Sequence, residues 1–178
     1  FVKKRRVPDC SLCVEVAYLD INQMRSTFTE LATLLLGDAK QAKSFMSKAK
    51  LHSMEELENS WWNLYEKLLS TGRAVELSLK IELEDFLYNV QKLIHNKNLS
   101  TDENLTGDVS IDTAAFDDSQ CIGDWCAHFN STWKNHKLVG MDIGTDSLVL
   151  MVLSNEEFKR AQELAKELLH RIDVAERL

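Results

Sequence analysis

Two apolar runs, "KLVGMDI" ending at Ile143 and "SLVLMVL" ending at Leu153, are separated by Gly144, Thr145 and Asp146. Runs of this length, split by a turn signal, read as strands that pair as an antiparallel β-hairpin. The hairpin constrains the fold more than any other feature, because the segments around it carry a different period. After it, Asn155 is placed to cap a helix in which Phe158, Ala161, Ala165, Leu168 and Ile172 keep the 3–4 spacing of one helical face. Before it, Ile21, Met24, Phe28, Leu31 and Leu35 step in the same way, between Asp20 as N-cap and Gly37 as stop. A Lys-rich amphipathic piece, "AKQAKSFMSKAK", follows. Ser53 and Glu56 then form a capping box for a helix striped by Leu57, Trp61, Leu64 and Leu68, which Gly72 ends.

The period changes at "VELSLKIEL", where Val75, Leu77, Leu79, Ile81 and Leu83 alternate with mostly polar neighbours. That is strand patterning, although leucine is a weak strand former and a helix stays open here. Helical spacing returns from about Glu84 through Phe86, Val90 and Leu93, and "NKNLSTDENLTGDVSIDT" reads as an irregular connection. A further helix is expected from Asp117 or Asp118, with Ile122, Trp125, Phe129 and Trp133 inward. These elements predict an α+β fold, a mainly helical single domain packed on a small, largely antiparallel sheet. Residues 1–12 are assigned to a basic tail and 13–178 to that domain. The length of 178 residues suits one domain with a sizeable core.

Composition narrows the function. No apolar stretch nears the roughly 18 residues needed to cross a bilayer, and "FVKKRRVPDC" lacks the apolar core of a signal peptide. The chain is accordingly read as soluble and cytoplasmic, without a membrane partner. Its net charge is −7; residues 1–10 hold four basic side chains and one acid, which leaves −10 on the remainder. An acidic body disfavours nucleic-acid binding, which needs a basic face for phosphates. The "KKRR" cluster itself is read as solvated tail.

"VGMDIGTDSLVLMVL" invites two catalytic readings. It resembles the phosphate-binding hairpin of actin-like sugar kinases, but that hairpin opens a long nucleotide-binding domain, and only 25 residues follow Leu153. It also approaches the Asp-Thr-Gly-Thr signature of aspartic proteases, with Ile143 in place of Thr. Their mechanism needs two such loops sharing a proton, and this chain has one. Asp142, Gly144 and Asp146 are therefore expected to shape a turn, with glycine supplying backbone freedom and the carboxylates binding turn amides.

The order "EKLLSTGRAVELSLKIELEDFLYNVQKL", then "LVGMDIGTDSLVLMVLSNEEF" and a closing helix, resembles a bacterial family known only as a domain of unknown function. In that family a helix ends in a Gly turn and an acidic strand with an Asp-Trp-Lys core follows. A later hairpin carries an Asp-x-Gly-Ser-Asp-Ser-Tyr turn. The resemblance spans about Leu64 to Ile172. Ser78 and Leu79 depart from the first motif, which keeps Lys80, and Thr145 and Leu148 depart from the second, which keeps Asp142, Gly144, Asp146 and Ser147. The resemblance implies a fold and no activity.

Other candidates are weaker. Cys10-x-x-Cys13 and Cys121-x-x-x-x-Cys126 could supply four zinc ligands, but five residues of helix turn through about 500° and part the second pair. Reduced thiols are the expectation, and no metal or cofactor is assigned. His128 and His136, near Asp124 and Cys126, match no metal or catalytic spacing and are read as neutral surface histidines. Three Asn-x-Ser/Thr triplets, at Asn98, Asn104 and Asn130, are attributed to chance. Trp61 and Trp62 give their helix a second apolar stripe, for burial or for a partner.

From Asn98 to Trp133 there is no Lys or Arg, while Asp102, Glu103, Asp108, Asp112, Asp117, Asp118 and Asp124 all occur. Such a stretch is either a solvated loop or a docking surface for a basic protein. The favoured function is a non-catalytic acidic binding protein, most concretely an immunity-type protein that neutralises a basic toxin. Asp108, Asp112, Asp117 and Asp118 would meet the toxin's lysines, and Trp125 or Trp62 would supply an apolar anchor. One alternative is an enzyme or small-ligand protein with its site around Asp142, Asp146 and His128. Another is a structural or interaction domain with no specific chemistry.

Overall fold

The computed structural model of the protein describes residues 20–99 and 109–178. The basic N-terminal segment with Cys10 and Cys13, and the acids Asp102, Glu103 and Asp108, lie outside the described residues. Along the chain come α1 (Ile21–Leu36), α2 (Ala39–Met46), α3 (Met54–Ser70), β1 (Val75–Ser78) and α4 (Leu83–Asn96). They are followed by α5 (Ile122–Thr132), β2 (His136–Met141), β3 (Ser147–Ser154), α6 (Asn155–Glu167) and β4 (Ile172–Val174). Among the described residues the strands form one antiparallel sheet in the order β1-β3-β2-β4. The fold is α+β. No helix among the described residues is long and apolar enough to cross a membrane.

The hairpin is the spine of the sheet. β3 pairs with β2 from Met141↔Val149 to His136↔Ser154, and with β1 from Val75↔Leu150 to Ser78↔Ser147. Its side chains alternate between two cores. Val149, Met151 and Leu153 face α1, α3 and α6, while Leu148, Leu150 and Val152 face α4 and α5. Helices cover both faces, which is why the strand is an unbroken apolar run and not an alternating one.

Local signals placed most of the helices. The Asp20 carboxylate accepts from the Asn22 amide, and α1 closes on Gly37 at φ 62°, a left-handed position that glycine occupies without steric cost. The Ser53 hydroxyl accepts from the Glu56 amide at 3.2 Å, and Glu56 reaches back to the His52 amide at 2.8 Å.

Four boundaries differ from the sequence reading. β1 ends at Ser78 because its partner β3 begins at the paired Ser147, and beyond that point a strand would leave its ladder unmade. The chain turns there instead, with the Ile81 amide donating to the Ser78 carbonyl. α5 starts at Ile122, since Asp117 is spent on a turn whose Ser119 amide it holds at 2.8 Å. Ser154, not Asn155, caps α6 and forms a reciprocal box with Glu157. Ile172 is not helical: α6 stops at Glu167, and Ile172 opens β4, pairing with Met141.

Asn130, one of the three triplet asparagines, has a structural task. Its buried side chain both donates to and accepts from the Leu138 backbone at 2.8 Å, extending the β2 ladder past the end of β4.

Candidate functional site

The hairpin tip emerges at one end of the sheet, between the two helical layers, and has a cleft on each side. Gly144 takes φ 70°, and its amide donates to Asp142 Oδ1 at 2.9 Å. The Ser147 amide is held by the Thr145 hydroxyl at 3.3 Å, so the second bend of the turn uses Thr145 where the sequence suggested Asp146. Asp142 and Asp146 both border a cleft of about 350 Å³ on the α5 side, beside Ile122, Leu148 and Glu176. His128 lines neither cleft; its ring sits edge-on to Phe116 at 4.7 Å. The arrangement Asp142–Asp146–His128 is therefore not assembled.

On the opposite side Asp142 borders a second cleft of about 320 Å³, whose other principal residues come from α3 (Glu58, Trp61, Trp62) and from the α6–β4 connection (His170, Arg171). The backbone of Asp142 ties the three parts together. Its amide donates to the Arg171 carbonyl at 3.0 Å, and its carbonyl accepts from Trp61 Nε1 at 2.9 Å. Trp61 stacks on His170 with ring centroids 4.1 Å apart and planes 9° from parallel. The bend that delivers His170 follows α6: the His170 amide donates to the Ala165 carbonyl and the Leu169 amide to that of Lys166, with Leu169 at φ 61°. This closure normally takes glycine, and a leucine there holds the bend against backbone strain.

His170 has an unusual environment. Its side chain is only 9% exposed, and Nε2 has no hydrogen-bond partner. The nearest carboxylate oxygen, Glu58 Oε1, is 3.8 Å away, beyond direct bonding. Burial pushes the imidazole pKa below its ordinary value, against the opposing charges of Glu58 and Asp142. Burial thus disfavours the charged imidazolium even with the Glu58 carboxylate 3.8 Å away. Arg171 does not neutralise them, because its guanidinium is directed to Asp173 (3.2 Å) and to the Arg177 carbonyl. Trp62 is 40% exposed on the rim, edge-on to Tyr65 at 5.4 Å. The Tyr65 hydroxyl donates to Glu76 at 2.6 Å, and burial together with that carboxylate pushes its pKa up to about 12.

The acidic segment lies on the α5 side of the molecule. Asp112 caps a single 3-10 turn (Thr113–Ala115) by accepting from the Ala114 amide at 3.1 Å. The turn amide of Ser119 holds the Asp117 carboxyl below its ordinary pKa, and Asp118 is exposed. Trp125 is a correction to the expected anchors: it is 4% exposed, packs on Phe86 at 5.4 Å, and donates its indole N–H to the Asp117 carbonyl at 3.0 Å. It fastens the acidic loop from beneath and has no face to offer a partner. His136 is likewise buried within β2. Cys121 is exposed, whereas Cys126 is buried, and burial pushes that thiol up to about 12. Among the described residues no group of three His, Cys, Asp or Glu side chains is placed to hold a metal ion.

Sequence reasoning missed His170 and Glu58. They stand 112 positions apart, in no motif, and meet only because the α6–β4 bend returns to α3. No local signal marked them: His170 falls between Leu168 and Ile172, inside the expected helical stripe.

Taken together, these features define a compact α+β domain whose hairpin tip separates two clefts, one of them aromatic and acidic. The chain belongs to the family described as Domain of unknown function (DUF6630), which matches residues 25–175, from within α1 to just beyond β4. No curated protein and no solved structure was found to match it.

Proposed function

We propose that this chain is a non-catalytic binding protein for a basic protein partner, acting in the bacterial cytoplasm as an immunity-type protein that neutralises a toxin domain. One observation carries the reading: the acids at 112–118 are held in place before any partner arrives. Trp125 donates to the Asp117 carbonyl from below, Trp133 Nε1 donates to the Ser110 carbonyl at 3.4 Å, and Phe116 packs on Phe129 at 4.9 Å. A loop pinned at three points loses little conformational freedom on docking, so more of its electrostatic attraction survives as affinity. With no Lys or Arg from Asn98 to Trp133, its field is of one sign.

The test pairs the protein with any basic toxic domain encoded next to its gene. Asp112→Asn, Asp117→Asn and Asp118→Lys together keep a side-chain oxygen for the Ala114 and Ser119 amides and alter only exposed side chains, so they should leave the fold intact and abolish the complex. Unchanged affinity would remove this surface. A second reading, a small-ligand protein, is favoured by a different observation: the cleft of about 320 Å³ beside the hairpin tip, bordered by Asp142, Glu58, Trp62 and His170.

A further inference from the structure

We infer that copies of this chain associate head to tail, the acidic loop of one copy seating in a lysine-bearing groove beside α2 and α3 of the next. The inference goes beyond the toxin reading: it uses the same acidic loop but needs no second protein.

The charges of the chain are sorted in space. From Ala39 to Met54 there are Lys40, Lys43, Lys48, Lys50 and His52 and no acid, the reverse of the stretch from Asn98 to Trp133. All four lysines are exposed. They lie on α2 and on its connection to α3, and Ala42 and Met46 seat α2 in the core shared with α1, α3 and α6. Phe116, within the acidic loop, packs instead against the core of α4 and α5. The basic and acidic faces therefore lie on opposite sides of the sheet, so one molecule cannot bring its own two faces together.

The two surfaces also match in their apolar parts. Beside α2 lies a groove of about 450 Å³, to which half-buried Phe45 and Ala49 give apolar surface, Lys48 and Lys67 give cations, and Glu66 gives an acid. In the acidic loop, the 3-10 turn Thr113–Ala115 exposes Ala114 and Ala115, with Asp112 before them and Asp117 and Asp118 after. An apolar crest flanked by acids thus faces an apolar groove flanked by lysines, the complementarity that selects a partner and fixes its register. Trp125 and Trp133 already hold the loop from beneath, so little order is lost when it seats. The net charge of −7 opposes association at long range. In about 0.1 M salt, however, fields of exposed charges are screened beyond about 10 Å, and the local pair of faces decides. Groove and loop are different surfaces, so the contact is heterologous and leaves one of each free at the ends of every assembly.

Sedimentation velocity of the purified chain over a series of protein concentrations reads the assembly. In about 0.1 M salt the sedimentation coefficient should rise with concentration, and in about 1 M salt, where a surface charge reaches only about 3 Å, the rise should vanish. Lys48→Glu with Lys50→Glu changes two exposed side chains that lie outside both helices. This pair should weaken association by about tenfold or more, because like charges then meet across the contact. Asp112→Asn, Asp117→Asn and Asp118→Lys should weaken it from the other side. The mixture is the sharpest test: the first variant keeps its acidic loop and the second keeps its groove, so in equal amounts they should form a dimer and nothing larger. The inference is overturned if the wild-type chain stays monomeric throughout, if salt leaves association unchanged, if association persists in the lysine variant, or if the mixed variants fail to pair. Association through any other pair of surfaces gives one of the last three results. A monomeric chain would leave the toxin reading standing, because that reading needs the acidic loop free.

Discussion

Replacing Trp61 by Phe tests whether the hairpin tip is anchored through α3. Trp61 is 1% exposed, its Nε1 donates to the Asp142 carbonyl at 2.9 Å, and its ring lies on His170 at 4.1 Å. Phe keeps an aromatic ring and removes the donor. The lost hydrogen bond is worth about 1 kcal/mol; the larger figure for a dry carbonyl does not apply, because Asp142 is an exposed residue and water can reach it. The smaller ring withdraws roughly 35 Å² of buried apolar surface, about 1 kcal/mol at 25 cal/mol per Å². A reduced stack on His170 adds up to about 1 kcal/mol. The total is about 2–3 kcal/mol, or a fall in Tm of roughly 5–10 °C for a chain of this size. Urea and thermal unfolding followed by circular dichroism give the global figure, and amide exchange at Asp142 and Gly144 gives the local one. Exchange there should accelerate even under conditions where β3 stays protected. Trp62→Phe, at a residue 40% exposed on the same helix, serves as the control and should change stability by no more than about 0.5 kcal/mol. If the two variants prove equally costly, or if Trp61→Phe leaves exchange at the tip untouched, the anchoring argument is refuted.

Two further outcomes are expected. Lys97, with its side chain 15% exposed, donates to the Val152 carbonyl at 2.9 Å and pairs with Glu157. Lys97→Met should cost about 2–3 kcal/mol in urea unfolding, less than the 3–5 of a fully buried pair because Glu157 keeps a third of its exposure, and adding Glu157→Gln should restore part of the loss. The second outcome concerns pH. His170 has a folded-state pKa below the unfolded value of 6.5, so the unfolded chain takes up its proton first as pH falls. Its contribution to stability is intact above about pH 6.5 and declines below it, with a slope of at most about 1.4 kcal/mol per pH unit. Glu58 from α3 and Asp142 from the tip oppose this depression. His170→Gln should flatten the stability profile below about pH 6.5, and an unchanged profile would show that the imidazole is not titrating as described.

Much of the fold was written in local patterns. Asp20, Ser53, Gly37 and the 3–4 stripes announce α1 and α3 because caps and amphipathic faces act over four or five residues, a range that a linear reading covers. The β2–β3 hairpin was legible for the same reason, since its turn and both strands are contiguous. Misplaced boundaries came where one local signal had two uses. Asp117 is a good N-cap type but serves a turn, and Ile172 continues the helical spacing although Leu169 has already broken the helix at φ 61° with no glycine to mark the break.

The candidate surfaces divide along the same line. The sequence by itself determined the acidity between Asn98 and Trp133, the absence of balancing cations there, and the turn at Asp142 and Gly144, because these depend on composition or on immediate neighbours. Only the tertiary structure decided that Trp125 lies beneath the acidic loop, that Trp62 reaches the surface, and that His170 faces Glu58 with an unbonded nitrogen. Burial and the meeting of distant side chains follow from how two helical layers close over the sheet. That closure is a property of the whole chain, so no window of sequence contains it.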